Sequence, residues 1–574
     1  MSSTDWLVIV VVLAGIIVYG LYKSRATKNL DGYFLSNRSM PWYLVLLSIM
    51  GTQASAITFL SGPGQAYADG MRFVQYYFGI PLAMVVICIT FVPLFSRLRV
   101  YTAYEFLANR FDDKTRTLTS SLFLLQRGLS TGISIYAPSI IFSSLFGWDI
   151  FWTNMVMGGL LIIYTVSGGA RSVAYTQTIQ VVIIFIAMVL AGYVLIHSLP
   201  PQVGMSQALH LGGSLGRMNV ITSGKTQHGF DWNDRYNIWS GLIGGFFLAL
   251  SYFGTDQSQV GRYLTAKNNR ASRLGLLMNG LVKIPMQFFI LMIGVLVFVF
   301  YQFNGAPLSF NDTLVSQVQN TNYKDSVQQL QHRYDSVNII KLAAIGRFTT
   351  DRSESLKTEV RRLSVQSEQY RSDFKRMAAK ATGKDSNDTN YVFLSYVKHY
   401  LPAGLKGLLI AVIFLAAWGS IAASLNSLAA SSVVDFHQRL ARPGSKTDPY
   451  HLSRWYTLGW GIFSILIAQF STRLGQSLIE AVNVLGSLFY GVILGIFLVA
   501  FYLKKVGGSA TFIAALVVEV FVVLLFFNEQ IPALRWLPDI SFLWLNAIGS
   551  LGVVALSTLL QLFLQKPAPM PTAN

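Results

Sequence analysis

Long apolar stretches separated by short polar connections make up most of this chain. A helix that crosses the hydrocarbon core of a bilayer needs about 20 consecutive, mostly apolar residues. The pattern meets this length about thirteen times and therefore predicts an all-α membrane protein with about 13 transmembrane helices. The predicted spans are 5–22, 42–60, 74–96, 118–143, 149–167, 173–197, 237–256, 274–302, 404–434, 454–471, 480–503, 508–527 and 540–564.

The composition agrees with a membrane protein. Of the 574 residues, 53% are hydrophobic and 12% are charged, whereas about 25% of a typical soluble protein is charged. The single cysteine, Cys88, excludes an internal disulfide. The sequence carries no zinc-type Cys/His cluster, no Walker loop and no GxSxG motif, so we do not expect an enzyme.

The basic residues indicate how the spans are oriented. If thirteen spans alternate in direction, the short connections rich in Lys and Arg all lie on one side of the membrane. The positive-inside rule makes this side cytoplasmic, which places the N-terminus outside and the C-terminus inside a plasma or bacterial inner membrane. This distribution also accounts for the net charge of +18, so the charge does not indicate that the protein binds nucleic acid. The cations concerned are Lys23, Arg25, Lys28, Arg97, Arg99, Arg110, Lys114, Arg116, Arg171, Arg262, Lys267, Arg270, Arg273, Arg439, Arg442, Lys446, Lys504, Lys505 and Lys566.

One long segment, 303–400, is polar and rich in Ser, Gln, Lys, Arg and Asp. Its stretch SLKTEVRRLSVQSEQYRSDFKRM is typical of a solvated amphipathic helix. The predicted topology places this insertion outside the membrane, where long loops are exempt from the charge rule. Two interpretations stay open: a loop that covers the external face, or a docking surface for a partner or an outer gate.

The second span contains an unusual polar and glycine-rich stretch, SIMGTQASAITFLSGPGQAYADG (48–70). Small residues permit close helix packing, but they also permit a discontinuous helix whose freed carbonyls bind an ion. The seventh span, with SGLIGGFFLALSYFGTDQ, runs in the opposite direction and is interrupted in a similar way. The pair predicts an inverted repeat of five plus five helices with discontinuous first and sixth core helices, which places a solute site between the two halves.

The ninth span, IFLAAWGSIAASLNSLAASSVVDF, offers an ion partner for the broken helix. Its small residues fit close packing. A sodium ion, however, needs five or six hard oxygen ligands, and the Ser420 hydroxyl beside carbonyls of the second span would provide some of them. We therefore expect sodium to be the coupling ion.

Several motifs resemble the sodium:solute symporter family: GTQASAITFLSGPGQAYADG, YTAYEFLANRF, SIYAPS, VSGGARSVAYTQTIQ, SYFGTDQSQVGRYLTAK and the Ala/Ser-rich span that ends in VVDF. The resemblance covers roughly residues 5–505. Members of that family carry sugars, sialic acids, proline, iodide or monocarboxylates together with sodium. The family fold is the five-plus-five inverted repeat with flanking helices, in agreement with the pattern above.

The resulting division of the chain has six parts. An N-terminal peripheral helix, read as retained and not as a signal peptide, is followed by two repeats, of which the second holds the external insertion. Two further peripheral helices and a short cytoplasmic tail complete the prediction. The boundaries are 1–41, 42–200 (first repeat), 201–236 (external loop), 237–503 (second repeat, with insertion 303–400), 504–565 (peripheral helices) and 566–574 (tail).

The resemblance implies a set of sodium ligands with two departures. The family usually has two adjacent hydroxyls in the eighth core helix, and here the first of them is a glycine. The family also tends to have an aspartate in the fifth core helix, and this chain has the neutral Gln177 there, which makes a second sodium improbable. The implied ligands are Gly51, Ala54, Ala416, Gly419 and Ser420.

The implied solute site is mixed. Lys283, Tyr252 and Asn483 match positions of sugar-type members. Other positions depart from that type, while SAITFLSGPGQAY and DQSQVGRYL look more like the iodide and monocarboxylate branch. The remaining candidates for solute binding are Gln53, Thr58, Gln75 and Tyr77.

Arg127 lies inside the fourth span, where a charge is costly and therefore indicates function. It would either hold an anionic solute through its guanidinium or extend to the cytoplasmic interface. Glu519, in the peripheral twelfth span, is interpreted as structural.

The function predicted is sodium-coupled symport of a small polar solute, of sugar, polyol, sialic-acid or carboxylate type. The alternatives are a proton-coupled or uncoupled carrier, or a solute sensor that does not transport.

Overall fold

The computed structural model describes residues 1–24, 30–98, 100–383, 385–440, 449–473 and 477–564, and the chain there is almost entirely helical. Six of the cations on which the topology prediction rests lie outside the described residues, as does the predicted tail 566–574. These cations are Arg25, Lys28, Arg99, Arg442, Lys446 and Lys566.

The first part of the chain forms ten α-helices and two 3₁₀ segments, Ser36–Arg38 and Gly70–Tyr77. The helices are α1 (Ser3–Ser24), α2 (Leu30–Leu35), α3 (Trp42–Gln53), α4 (Ala56–Asp69), α5 (Ile80–Ile89), α6 (Phe91–Leu98), α7 (Glu105–Arg110), α8 (Asp113–Phe146), α9 (Ile150–His197) and α10 (Met205–Ser214).

The 48-residue element α9 contains both the fifth and the sixth predicted span. The hydroxyls of Tyr164 and Thr176 lie 3.0 Å apart, although 12 residues of straight helix would separate them by about 18 Å. The element is therefore not one straight helix. That the spans 149–167 and 173–197 are two antiparallel passages stays a prediction.

The second part of the chain adds a small hairpin, β1 (Lys225–Thr226) with β2 (Gly229–Phe230), and two π-helical segments, Ser240–Gly244 and Ser432–His437. Its helices are α11 (Gly245–Thr255), α12 (Gln257–Tyr263), α13 (Asn269–Asn304), α14 (Asp312–Gln319), α15 (Lys324–Thr350), α16 (Glu354–Thr382), α17 (Val392–Tyr400), α18 (Leu405–Ser431), α19 (Gln438–Leu440), α20 (Pro449–Phe470), α21 (Leu478–Tyr502), α22 (Gly508–Phe526) and α23 (Phe542–Phe563).

The helices are long and apolar enough for a multi-pass membrane protein. Within the described ranges, nine stretches meet the length and hydropathy of a membrane span, and three shorter apolar helices add Trp42–Gln53, Ile150–Val166 and Ser240–Thr255. The predicted span 454–471 lies in α20. These observations confirm the all-α membrane fold, while the count of thirteen stays a prediction.

The second span is broken where the sequence predicted. Helix α3 ends at Gln53, and α4 begins at Ala56 after two non-helical residues. In a continuous helix Ser55 N–H would bond to the Gly51 carbonyl, but it donates to the Gln53 carbonyl at 3.0 Å. Likewise Thr58 N–H donates to the Ser55 carbonyl and not to that of Ala54. The carbonyls of Gly51 and Ala54 therefore lose their helical donors, as happens at helix ends.

The seventh span is also discontinuous, at Asp256, where an extended residue separates α11 from α12. Asp256 caps α12, because its carboxylate accepts the Ser258 N–H at 2.7 Å. By contrast α18 is unbroken from Leu405 to Ser431 and is buried along nearly its whole length. Its Ala, Gly and Ser side chains allow α8, α9 and α3 to pack directly against it.

The insertion 303–400 folds as helices α14 to α17 with a hydrophobic cluster of its own, which explains how it stays ordered outside the membrane helices. Helices α15 and α16 pack along each other, and the insertion rests on α4, where Gly64 leaves room for the backbone of Thr389. The cluster consists of Leu308, Leu314, Val318, Val327, Leu330, Tyr334, Phe374 and Ala378.

Candidate functional site

A cavity of about 110 Å³ lies at the break between α3 and α4, and we call it the central cavity. This volume admits several water molecules or a small polar group. Helices α8, α11, α13, α18 and α21 complete its wall. The structure brings eight of the predicted site residues together on this wall: Gln53, Thr58, Tyr77, Arg127, Tyr252, Lys283, Ser420 and Asn483.

Other polar residues of the wall were missed by the sequence reasoning. Ser130 and Ser134 follow Arg127 at helical spacing on the same face of α8, and this spacing is a signal that could have identified them. Thr52 and Ser55 belong to the polar stretch at the break of the second span, beside Gln53. The missed polar residues are Thr52, Ser55, Tyr76, Gln126, Ser130, Ser134, Ser424 and Tyr490.

Gln75 is the predicted solute residue that does not reach the cavity. Its side-chain amide donates to the Thr222 hydroxyl at 3.0 Å and to the Tyr236 carbonyl at 3.0 Å, and its carbonyl accepts the Thr222 N–H. The buried Gln75 therefore attaches the loop 201–236 to the 3₁₀ segment and does not line the central cavity.

Arg127 is held by an acid from another helix. Its guanidinium forms an ion pair with Asp256 and donates to the Tyr490 hydroxyl at 2.8 Å. The same hydroxyl donates to Asp256 at 2.7 Å, and the guanidinium also lies 5.5 Å from the centre of the Tyr252 ring. The two interpretations drawn from the sequence, a free anion ligand and a side chain extending to the interface, both omitted this buried pair. The pair neutralises Arg127.

Lys283 differs from Arg127 because it has no such partner. Its side chain is buried, with 1% of the residue exposed, and its ammonium lies 5.4 Å from the centre of the Tyr77 ring, an attractive cation–π arrangement. No carboxylate in the described part of the chain lies within ion-pair distance of it. Asn279 and Gln287 flank it on the same face of α13, and their amides have no partner among the described residues.

A hydrogen bond between two distant elements joins two walls of the central cavity. The Tyr76 hydroxyl, from the 3₁₀ segment, donates to the Asn483 side chain on α21 at 3.1 Å. This bond must be broken before these two walls can separate. A second bond fixes Tyr252 on α11, because the Gln259 amide of the following helix α12 donates to its hydroxyl at 2.6 Å.

Oxygen atoms suited to sodium collect beside the central cavity. The carbonyls of Gly51 and Ala54 have lost their helical donors, and Ser420 lines the cavity. The Ser420 hydroxyl donates to the Ala416 carbonyl at 2.9 Å and keeps its own lone pairs free to accept. Hard carbonyl and hydroxyl oxygens of this kind are the ligands that hard cations prefer.

Gln177 occupies the space between α3 and α18. Its amide nitrogen donates to the Gly419 carbonyl at 3.0 Å and to the Thr52 hydroxyl at 3.1 Å, while its oxygen accepts from Ser48 at 2.9 Å. The sequence showed only that a negative charge is missing at position 177. The structure adds that the amide there already engages one of the implied sodium ligands, Gly419.

Residue 419 lies close to two glutamine side chains. A Cβ atom at Gly419 would lie 3.1 Å from Cγ of Gln177 and 2.6 Å from the side-chain oxygen of Gln180. The shorter contact is with the far end of a flexible side chain, so a serine at 419 would require Gln180 to move.

The chain matches the model of the sodium:solute symporter family over residues 33–325 and 364–517. The unmatched stretch between these two ranges, 326–363, lies in the insertion 303–400. This match covers well over half of the chain.

Individual relatives fall into two groups, which differ in how much of their length aligns with this chain. Sodium-coupled monocarboxylate transporter 1 of Xenopus laevis is 29% identical over 282 residues, which are 48% of this chain and 43% of that protein. The human sodium/iodide cotransporter is 30% identical over 277 residues, 48% of this chain and 41% of that protein. The chain thus aligns with less than half the length of these relatives. The sodium/sialic acid symporter of Proteus mirabilis is 24% identical over 560 residues, 95% of this chain and 92% of that protein.

A solved structure shares the fold along the whole chain. It is a Na⁺-coupled sialic acid symporter in a substrate-bound outward-open state, with a TM-score of 0.75 and 22% identity, covering 98% of this chain and 99% of that chain. The fold is therefore the one predicted, and the named relatives are transporters and not enzymes. With its broken core helices and the family match, this chain belongs to the sodium:solute symporter family.

Proposed function

We propose that the protein is a sodium-coupled symporter that moves a small anionic organic solute by alternating access through the central cavity. In the proposed orientation the N-terminus lies outside and the C-terminus in the cytoplasm of a plasma or inner membrane. The carbonyls of Gly51 and Ala54 and the hydroxyl of Ser420 would contact the sodium ion as it is carried.

The observation that carries the choice of solute is the unpaired ammonium of Lys283. A buried charge is costly unless it is paired, and Arg127, the other cation of the central cavity, is already neutralised by Asp256. The wall therefore carries one uncompensated positive charge. A solute with a carboxylate would supply the missing partner, and a neutral sugar would not.

The named relatives are consistent with this choice. Sialic acids, monocarboxylates and iodide, which appear in the names of the relatives, are all anions at neutral pH. The polar groups of Gln53, Thr58 and Asn483 on the same wall would bind hydroxyl or amide groups of the solute. These features favour an acidic sugar or a short carboxylate.

The test compares ligand-induced stabilisation of the purified protein in sodium and in potassium chloride. The ligands are N-acetylneuraminic acid, pyruvate and, as the neutral control, glucose. We expect an acid to raise the melting temperature, because ligand that binds only the folded state stabilises it by mass action, and sodium to increase the effect. In Lys283→Gln the effect should be lost, whereas Lys267→Gln, which changes an exposed lysine, should retain it.

Uptake into proteoliposomes then tests coupling. Accumulation of the acid driven by an inward sodium gradient supports symport, whereas equal uptake in potassium favours a second candidate, a carrier that is not coupled to sodium. The bond from Gln177 to the Gly419 carbonyl is the observation that favours this second candidate. Stabilisation by glucose that is equal in the wild type and in Lys283→Gln would refute the anionic solute.

A further inference from the structure

A second cavity, of about 410 Å³, lies where the insertion meets the outer end of the membrane helices, and we call it the outer cavity. It is bounded by Tyr67 of α4, by Phe298 and Gln302 of α13, and by side chains of α15 and α16. It shares no lining residue with the central cavity.

Four cations line the outer cavity: Arg217, Lys341, Arg361 and Arg371. Only Arg371 is paired, with Asp388 at 2.6 Å and Glu368 at 3.2 Å. For the other three, the described part of the chain contains no carboxylate within ion-pair distance. Asp388 also pairs with Lys375 at 2.7 Å, so this cluster of five cations and two acids has a net charge of +3.

Of the four cations, Lys341 most strongly indicates an anion site because it is buried, with 4% of its surface exposed. Its ammonium reaches only the Ser367 hydroxyl, at 3.4 Å, and that hydroxyl in turn donates to the Asn338 side chain at 3.1 Å. Burial lowers the pKa of Lys341 to about 8, with a further contribution from Arg371. Because Lys341 is buried and has no carboxylate within ion-pair distance among the described residues, its position is unfavourable for a charge.

The two arginines present further free donors. The Nε atom of Arg217 is buried and has no partner among the described residues, although its other end donates to the Ala68 carbonyl. Arg361 donates through Nε to the Ser214 carbonyl at 2.9 Å, so its two terminal nitrogens remain available. Guanidinium groups of this kind bind carboxylate and phosphate oxygens in pairs.

We propose that the outer cavity is a binding site for a small dianion, a dicarboxylate or an inorganic oxyanion, held by Lys341, Arg217 and Arg361. A dianion offsets most of the excess positive charge and supplies the carboxylate or phosphate oxygens that these three cations lack. Tyr67 forms one wall and lies on α4, so a bound dianion would connect the insertion to the outer half of the broken helix. This site is independent of the solute carried through the central cavity.

The test measures melting temperature and equilibrium binding on the full-length protein with inorganic phosphate and with succinate, against sodium chloride at equal ionic strength. We expect both dianions, but not chloride, to raise the melting temperature of the wild type. Lys341→Met and Arg361→Gln should raise the dissociation constant about tenfold or more, because each removes a charged hydrogen-bond donor. The matched control is Arg362→Gln, which changes the exposed neighbouring arginine that does not line the cavity.

Lys341→Met has a second expected result that separates binding from folding. Since it removes an unpaired buried charge, its melting temperature without dianion should equal or exceed that of the wild type. Stabilisation by phosphate and succinate that persists in both Lys341→Met and Arg361→Gln would overturn the proposal, and so would an effect equalled by chloride. The binding is measured without sodium gradient or transport, so it can fail while the proposed symport stands, and the reverse.

Discussion

The buried pair of Arg127 and Asp256 gives the sharpest prediction. Asp256 has no exposed side-chain surface, and Arg127 has 9% exposed. Removing one partner of a buried ion pair leaves the other charge uncompensated, which typically costs about 3–5 kcal/mol. We therefore expect Asp256→Asn and Arg127→Gln each to lower the melting temperature clearly. The double variant, which leaves no unpaired charge at this position, should be more stable than either single variant.

The measurement is a double-mutant cycle on thermal unfolding, followed by tryptophan fluorescence in one detergent. A second buried pair in the same protein supplies the control, Arg116 with Asp435, whose closest oxygen–nitrogen distance is 2.7 Å and whose side chains are 10% and 0% exposed. That pair does not line the central cavity. It should show the same coupling in stability. If the effects of Arg127→Gln and Asp256→Asn simply add, the two charges are not coupled and the reasoning fails.

Solute binding to the same variants separates a structural pair from a solute ligand. If Arg127 held the anionic solute directly, Asp256→Asn would free the guanidinium and strengthen binding, while Arg127→Gln would abolish it. If Lys283 holds the solute, both variants should weaken binding similarly, because both disturb the cavity wall. Opposite changes in the two variants would transfer the role of anion ligand from Lys283 to Arg127.

Three other predictions concern sodium and the insertion. Ser420→Ala should raise the sodium concentration needed for half-maximal uptake, since it removes a hydroxyl oxygen beside the broken helix. Gln177→Asp should strengthen the dependence of uptake on sodium, because a carboxylate replaces the amide that donates to Gly419. Burial alone would raise the pKa of Asp388, but Arg371 and Lys375 hold it at about 2. This depressed pKa should stabilise the insertion by about 2 kcal/mol above pH 4. The contribution should be lost as the pH falls from 4 towards 2, as followed by limited proteolysis of the insertion with pepsin.

Each of these has a definite contrary outcome. Unchanged sodium dependence in Ser420→Ala would remove that residue from the sodium site, with Ser427→Ala as control because Ser427 bonds only within α18 and lies outside the central cavity. Unchanged sodium dependence in Gln177→Asp would mean that position 177 serves packing alone. An insertion whose resistance to pepsin is the same at pH 4 and pH 2 would show that Asp388 carries no such share of its stability.

The sequence alone predicted the break in the second span because the residues that cause the break lie within that span. Glycines and hydroxyl residues within a membrane span indicate irregular backbone without any knowledge of the neighbours. The same holds for the Ala/Ser-rich face of α18. The Gly-Pro-Gly at 62–64, by contrast, lies inside α4 and does not mark the break. The second break was predicted for the seventh span, but its place at Asp256 depends on that residue capping α12 and pairing with Arg127.

Partners distant in sequence account for what the sequence did not predict. Arg127 and Asp256 are 129 residues apart, as are Ser48 and Gln177. Neither pair follows from spacing along one helix. The partners of Gln75 are also distant, since they lie in the loop 201–236, about 150 residues further along the chain. In each case a local pattern identified a polar residue in an apolar setting, and only the fold showed what it contacts.

Helix α4 lines both cavities, and both cavities have an excess of positive charge. Thr58 lines the central cavity and Tyr67 lines the outer one, nine residues and about 14 Å apart along the same helix. Each cavity carries more cations than acids, through Lys283 in the one and Lys341 in the other. If alternating access moves α4 relative to the insertion, a dianion bound in the outer cavity would oppose this movement. It would have to dissociate before the helix could move. Dianions that bind there should therefore slow transport in the wild type, and Lys341→Met should remove that inhibition without changing which solute is carried.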